Sequence, residues 1–233
     1  MVPMLQAGRA RRGRDTVPGT AHRVGPDGDT ATNERRPMWN ERYQAPGFAY
    51  GTEPNDFLVE VEPMLPRHAR VLSLAEGEGR NAVWLAQQGH QVVAVDGSSV
   101  GLDKALSLAQ QRGVVIETVV ADLQDFDIDV GAFDAIVSIW AHVPPALRVA
   151  LHARCVAGLR PGGRFILEAY TPAQTARTTG GPRDPSMCMS PATLTAELTG
   201  LIMERCEEKV RMVHEGAFHE GDSDVVQCVA RHP

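Results

Sequence analysis

Between residues 75 and 82 the chain reads Ala75-Glu76-Gly77-Glu78-Gly79-Arg80-Asn81-Ala82. Glycines at a strand-to-helix turn let the backbone approach a ligand closely, and a helix N-terminus presents unpaired N–H groups. Gly77, Gly79 and Ala82 fit the G-x-G-x-x-G/A dinucleotide fingerprint. Asp96 closes the next apolar run, where a carboxylate can take both hydroxyls of a ribose. Loop and Asp96 together predict a site for an adenosine ribose without choosing the cofactor. Asp122 and Leu123 end a third apolar run. A carboxylate there can accept an adenine amino group, and the following backbone N–H can reach a ring nitrogen. Trp140 and His142 follow a fourth run. Trp140 can line a reaction pocket or pack the strand end. His142 can act as a general base near neutral pH, or it can bond a loop carbonyl.

These residues need a scaffold that brings strand ends together. Val71–Ala75, Gln91–Val95, Val115–Val120, Phe133–Ile139 and Arg164–Ala169 read as buried strands. Helical patterns lie between them, over 81–88, from Ser98 or Ser99 toward Gly113, and from Pro145 to the Pro161-Gly162-Gly163 turn. Strands alternating with helices imply a parallel sheet covered on both faces. After a short helix near Pro191–Leu198, residues 204–214 and 224–230 read as a closing hairpin. The expected fold is α/β: a doubly wound, mostly parallel seven-stranded sheet with a C-terminal antiparallel hairpin.

Composition bounds the class. The chain has 233 residues, 43% hydrophobic and 22% charged, which suits one globular domain. No apolar run approaches the roughly 18 residues of a membrane span. Four scattered cysteines fit a reducing, cytoplasmic setting, and neither a disulfide framework nor a metal site is expected. Residues 1–37 hold seven arginines and four acids, with no aromatic residue and no apolar period. They read as an N-terminal extension without a core of its own, leaving 38–233 as the domain. That domain has 16 basic and 25 acidic residues, a balance of −9, which disfavours a nucleic-acid surface. Nothing suggests an obligate protein partner.

Four ordered features appear together: the glycine loop, Asp96, Ala121-Asp122-Leu123, and Leu159-Arg160-Pro161-Gly162-Gly163 before the fifth strand and hairpin. Over about residues 39–231 this order resembles the class I S-adenosylmethionine-dependent methyltransferases. Trp39-Asn40-Glu41-Arg42-Tyr43 and Tyr50-Gly51-Thr52-Glu53-Pro54-Asn55 look like the entry segment of the small-molecule branch, of tellurite-resistance and thiopurine type. The resemblance implies S-adenosylmethionine as cofactor and a small-molecule methyl acceptor. It implies cofactor contacts from Tyr43, Glu76, Gly77, Gly79, Asn81, Asp96, Gly97, Asp122, Leu123, Ile139 and Trp140, with His142 a candidate base. An NAD-linked oxidoreductase and a non-catalytic nucleotide-binding module are the alternatives.

The chain departs from the family pattern at Ser73, where an acid is usual, and at Ala75, where the first glycine is usual. Glu76 or carbonyls near Ile139 would then hold the methionine ammonium, and Ala75 is expected to keep a negative φ. Ile139-Trp140-Ala141-His142 replaces the Asn/Asp-Pro-Pro-aromatic motif of amino-methylating DNA enzymes. Thr178–Pro185 reads as a recognition loop, with Arg183 able to meet an anion, or as a plain connection. Glu207–Lys209 and the stretch Glu215–Glu220, with His214 and His219, are expected on solvated faces.

Overall fold

The computed structural model describes residues 23–24, 35–216 and 218–233. Its strands are β1 (Arg23–Val24), β2 (Arg70–Leu74), β3 (Gln91–Asp96), β4 (Glu117–Val120), β5 (Phe133–Ile139), β6 (Leu159–Tyr170), β7 (Ile202–His214) and β8 (Glu220–Arg231). Its helices are α1 (Arg35–Gln44), α2 (Asp56–Val61), α3 (Arg80–Gln87), α4 (Ser99–Gln111), α5 (Pro145–Gly158) and α6 (Pro191–Glu197). The sheet order is β1-β4-β3-β2-β5-β6-β8-β7. Pairs from β1 to β6 are parallel; β8 lies antiparallel between β6 and β7. Seven strands are those expected. The eighth, β1, adds two residues beside β4, within the segment expected to stay outside the fold. Of the rest of that segment, residues 1–22 and 25–34 lie outside the described residues. Helix α1 begins at Arg35, so the boundary expected at 37/38 falls inside it.

The strands alternate because both faces of the sheet are covered. Val71, Val92, Ala94, Ala135 and Val137 point into a core shared with Phe57 and Leu58 of α2, Leu85 of α3 and Leu102 of α4. Leu72, Val93, Val95 and Ile136 point into the opposite core, with Leu151 of α5 and Leu194 of α6. That is the period of two of a pleated strand, filled on both sides. Ser98 caps α4 by accepting from Gly101 N–H at 3.1 Å, and Asn55 caps α2 through Leu58 N–H at 3.0 Å. Pro161-Gly162-Gly163 does not precede β6 but lies within it, where the β5 register shifts from Phe133↔Leu159 to Ala135↔Arg164. A Cβ on Gly163 would stand 2.9 Å from the Arg160 carbonyl oxygen, so this bulge needs glycine.

The chain runs outward from β2 through β3 to β4, then returns to β5 and continues to β6 on the other side. Open α/β sheets bind ligands at this reversal, beyond the carboxyl ends of the two central strands. The glycine loop leaves β2 there, and Trp140 leaves β5.

Candidate active site

A cavity of about 460 Å³ opens at that reversal, within the roughly 300–1,000 Å³ of small-molecule sites. Its walls include Tyr43, Glu76, Gly77, Asn81, Asp96, Gly97, Asp122, Leu123, Ile139, Trp140 and His142. Every residue expected at the site lines it except Gly79. Gly79 is the N-cap of α3, at φ +93°, and a Cβ there would stand 2.5 Å from the Ala105 Cβ. Its smallness lets the loop lie on α4.

Ala75 corrects an expectation: its φ is +49°, not negative. The loop keeps the left-handed turn that a glycine would take without strain, at a cost of about 1–2 kcal/mol for an L-residue. Glu76 N–H donates to the Val95 carbonyl at 3.1 Å and ties the turned loop to β3.

The two loop glutamates are both buried and both engaged. Glu76 Oε1 accepts from the N–H groups of Asn81 (3.1 Å) and Ala82 (2.9 Å), capping α3, and Oε2 accepts from the Ser73 hydroxyl. Burial raises its carboxyl above the ordinary range, while the Ala82 N–H and the Ser73 hydroxyl pull it back. Ser73 and Glu76 therefore act as a pair at the end of β2. Glu78 accepts from Ala49 N–H at 2.7 Å and from Lys104 Nζ at 2.9 Å. Lys104 also donates to the carbonyls of Ala45 (2.8 Å) and Gly47 (2.6 Å). These bonds fasten the entry segment over the glycine loop. Tyr43 of α1 then lies so close that a Cβ on Gly77 would stand 2.6 Å from its hydroxyl.

Asp96 is buried at the end of β3. Its Oδ2 accepts from Gly77 N–H at 2.9 Å and its Oδ1 from Ser98 N–H at 2.7 Å. A carboxylate offers about four lone-pair sites, so each oxygen retains one for another donor. Burial pushes the carboxyl up to about 6, against the pull of the two N–H groups. Asp122 faces the same cavity, with Oδ1 accepting from Gln124 N–H at 2.8 Å.

Trp140 has φ +58°, an outlier for a bulky residue that costs on the order of 1–3 kcal/mol. Several bonds hold it. Its N–H donates to the Glu168 carbonyl at 2.9 Å, its indole N–H donates to the Glu215 carboxylate, and its ring stacks on Tyr170 at 4.4 Å. His142 is not placed to serve as a base. Its Nδ1 faces the Trp140 carbonyl oxygen at 3.1 Å and its Nε2 accepts from Tyr170 N–H at 3.0 Å. Burial pushes its pKa down to about 4, so it is a neutral brace between two strand ends.

The expected solvated face at Glu215–Glu220 is corrected as well. His214 and Glu220 are exposed, but Glu215 and His219 are buried, 5% and 9% exposed. The hairpin tip folds back over the entry segment. A Cβ on Gly216 would lie 2.3 Å from the Ala49 carbonyl oxygen, so glycine permits the contact. Glu215 accepts from Arg80, Trp140, Asn55 (2.8 Å) and Arg211 (2.9 Å). Burial pushes its carboxyl up, yet Arg80, the indole N–H and Arg211 together hold it below the ordinary range. Arg211 also pairs with the buried Glu168. Sequence spacing carries no sign of this network, since Arg80 and Glu215 are 135 positions apart.

The sequence singles out the Tyr50 segment and the Thr178–Pro185 loop but not Phe218 or the burial of His219. Tyr50, Phe218 and His219 line the cavity, with Gly180, Gly181 and Pro182. The Thr178–Pro185 loop is pinned there: Gln174 donates to the Thr179 hydroxyl and the Gly180 carbonyl at 3.0 Å, and Thr179 donates to the Asp222 carbonyl at 2.8 Å. Arg183 is exposed and does not line the cavity.

Known proteins resemble this arrangement. The family described as "Methyltransferase domain" matches residues 71–163. A 2-heptyl-1-hydroxyquinolin-4(1H)-one methyltransferase from Mycobacteroides abscessus is 29% identical over 118 residues, 49% of this chain and 52% of that protein. A tRNA 5-carboxymethoxyuridine methyltransferase from Escherichia coli K12 is 31% identical over 116 residues, 46% of this chain and 42% of that protein. The chain spans about half the length of these curated relatives. A solved structure described by the conversion of a disulfide bond into a thioacetal group during echinomycin biosynthesis aligns with a TM-score of 0.70 at 18% identity. It covers 87% of this chain and 92% of that one, a likeness of fold. Residues 71–163 are thus a methyltransferase domain of class I, the S-adenosylmethionine-dependent type.

Proposed function

We propose that this protein transfers a methyl group from S-adenosylmethionine to a small-molecule acceptor. The observation that carries the reading is the meeting of the glycine loop, Asp96, Asp122 and Trp140 around one cavity at the sheet's reversal. The cavity fits the cofactor's chemistry. Glycines leave a cradle where Cβ atoms would intrude, and the free lone pairs of Asp96 suit vicinal hydroxyls. When bound, S-adenosylmethionine supplies an activated sulfonium methyl.

The chain's residues do the rest. Asp96 holds the ribose hydroxyls, Asp122 and the Leu123 backbone meet the adenine, and Gly77 and Gly97 give the backbone room. Tyr43 closes over the loop and keeps water out. Glu76 serves the site by fixing the loop and the start of α3 rather than as a free anion. Ile139 and Trp140 form the wall at the methyl end, and Asn81 also lines the cavity. Alignment of a nucleophile and exclusion of water are the main demands of such a transfer.

A small-molecule acceptor is supported by the −9 balance of residues 38–233 and by the aromatic wall of the far end. Among the described residues no helix is long and apolar enough to cross a membrane. A cytoplasmic location is part of the proposal. The test is release of S-adenosylhomocysteine with thiols, thiopurines, tellurite or selenite, and phenols. Turnover with one class supports the reading. Cofactor binding without turnover on any of them favours the non-catalytic module.

A further inference from the structure

The far end of the cavity holds a histidine that the cofactor site does not use. His219 lies at the tip of the β7–β8 hairpin, 9% exposed, and lines the cavity. Its Nδ1 is buried without a hydrogen-bond partner. An unpaired buried polar atom costs about 1–3 kcal/mol, so packing alone does not favour an imidazole at this position. Aromatic rings surround the imidazole: Tyr50 at 4.8 Å, Trp140 at 5.1 Å and Tyr170 at 5.5 Å between centroids. The neighbouring strand of main chain is flattened against them. A Cβ on Gly181 would stand 2.8 Å from the Tyr170 ring, and one on Gly180 would stand 2.7 Å from the Phe218 carbonyl oxygen. Tyr170 is fully buried behind this backbone, while Tyr50, Trp140 and Phe218 line the cavity with His219, so a ring entering there meets aromatic side chains and the Gly180-Gly181 main chain.

We infer that this end of the cavity takes a planar hydroxyaromatic acceptor, and that a ring nitrogen of His219 accepts the hydroxyl proton during methyl transfer. The inference rests on the methyltransferase reading and names the substrate class for it. The balance is complete. The acceptor's O–H bond breaks and its proton goes to the imidazole. An oxygen electron pair forms the O–CH3 bond, and the S–CH3 pair leaves on sulfur. One positive charge is present throughout, on sulfur before transfer and on the imidazole after it.

The charged surroundings suit that role. Burial pushes the His219 pKa down to about 3; Glu215 pulls it up, while Arg80, His142 and Arg42 push it further down. The ring is therefore neutral and able to accept across the physiological range. An oxygen acquiring a third bond is strongly acidic, so an imidazole of low basicity still takes its proton. Glu215 then faces the imidazolium that results.

The experiment compares the wild type with His219→Gln and His219→Asn, after both are shown to bind S-adenosylhomocysteine as the wild type does. Two acceptors are used at pH 8, 2-naphthol, whose hydroxyl stays largely protonated there, and benzenethiol, which is largely ionised. Loss of a general base typically costs about 10²–10⁴-fold. Methylation of the hydroxyl should fall at least 100-fold in both variants, and at least tenfold further than methylation of the thiol. At saturating cofactor, wild-type turnover of the hydroxyl should show no acid limb near pH 6.5. A second readout needs no turnover: the S-adenosylhomocysteine-saturated wild type should bind 2-naphthol more tightly than the variants do.

Undiminished hydroxyl methylation in the variants, equal loss on both acceptors, or no binding of any hydroxyaromatic by the saturated wild type would overturn the inference. A wild type that fails to bind S-adenosylhomocysteine at all would instead remove the methyltransferase reading beneath it.

Discussion

Asp96→Asn probes the cofactor site by removing the charge and one of the two acceptors that Gly77 N–H and Ser98 N–H use. The wild-type carboxylate is buried, keeps its bonds to Gly77 and Ser98, and has its pKa pushed up to about 6. Ribose hydroxyl donors favour the ionised form. Below pH 6 the protein must therefore shed a proton to bind, and affinity falls about tenfold, or about 1.4 kcal/mol, per pH unit. From pH 7 to pH 5 the wild type should lose about tenfold in affinity for S-adenosylhomocysteine, measured by calorimetry. Asp96→Asn removes the charge-assisted bonds and should weaken binding at pH 7 by about 1.5–3 kcal/mol. The ligand's own titration cancels in the ratio of the two proteins, so that ratio should shrink about tenfold at pH 5. Stability runs the other way. The folded carboxyl binds its proton more tightly than an unfolded one at 3.8, so Asp96 makes the ligand-free fold more stable as pH falls from about 6 toward 3.8. A ratio that stays constant with pH, or an affinity unchanged in the variant, would refute the placement of the ribose at Asp96.

Gly79→Ala adds a Cβ 2.5 Å from the Ala105 Cβ at φ +93° and should cost about 2–5 kcal/mol in a denaturant melt, from strain and overpacking together. Gly113→Ala, at φ +70° with nothing within 4 Å of the new Cβ, should cost only the strain; equal losses would show that contact with α4 is unimportant. Glu215→Ala leaves Arg80 without its carboxylate and should cost about 3–5 kcal/mol at pH 7, a melting-point drop of about 6–20 °C. Because the Glu215 pKa is held below the ordinary 4.5, its contribution is present above that pH and is lost as pH falls through the folded value.

The scaffold was legible because its signals are local. Alternating apolar residues in the central strands face two cores, and glycine or proline marks most element ends, so β2 to β6 and α3 to α5 fall close to where the pattern puts them. Asp96, Asp122 and Trp140 could be picked out because each stands at or just beyond the end of a strand in an α/β sheet. What escaped depends on contacts distant in sequence. Ala75, an alanine where a glycine is usual, suggests a negative φ, yet the loop tied to Val95 holds it at a positive one. Glu215 and His219 read as surface residues of a hairpin tip. They become buried because Gly216 lets that tip rest on Ala49 and Tyr50, and because Arg80, Arg211 and Asn55 converge on one carboxylate. Of the two readings open for His142, the carbonyl-bonded one holds, and Tyr170, 28 positions away, donates to its second nitrogen.

The central claim is that the cavity at the reversal of the sheet holds S-adenosylmethionine. Calorimetric titration of the purified protein with S-adenosylmethionine and, separately, with NADH tests it most directly. The account predicts saturable binding of S-adenosylmethionine at one molecule per chain and none of NADH. Binding of NADH without S-adenosylmethionine would contradict it.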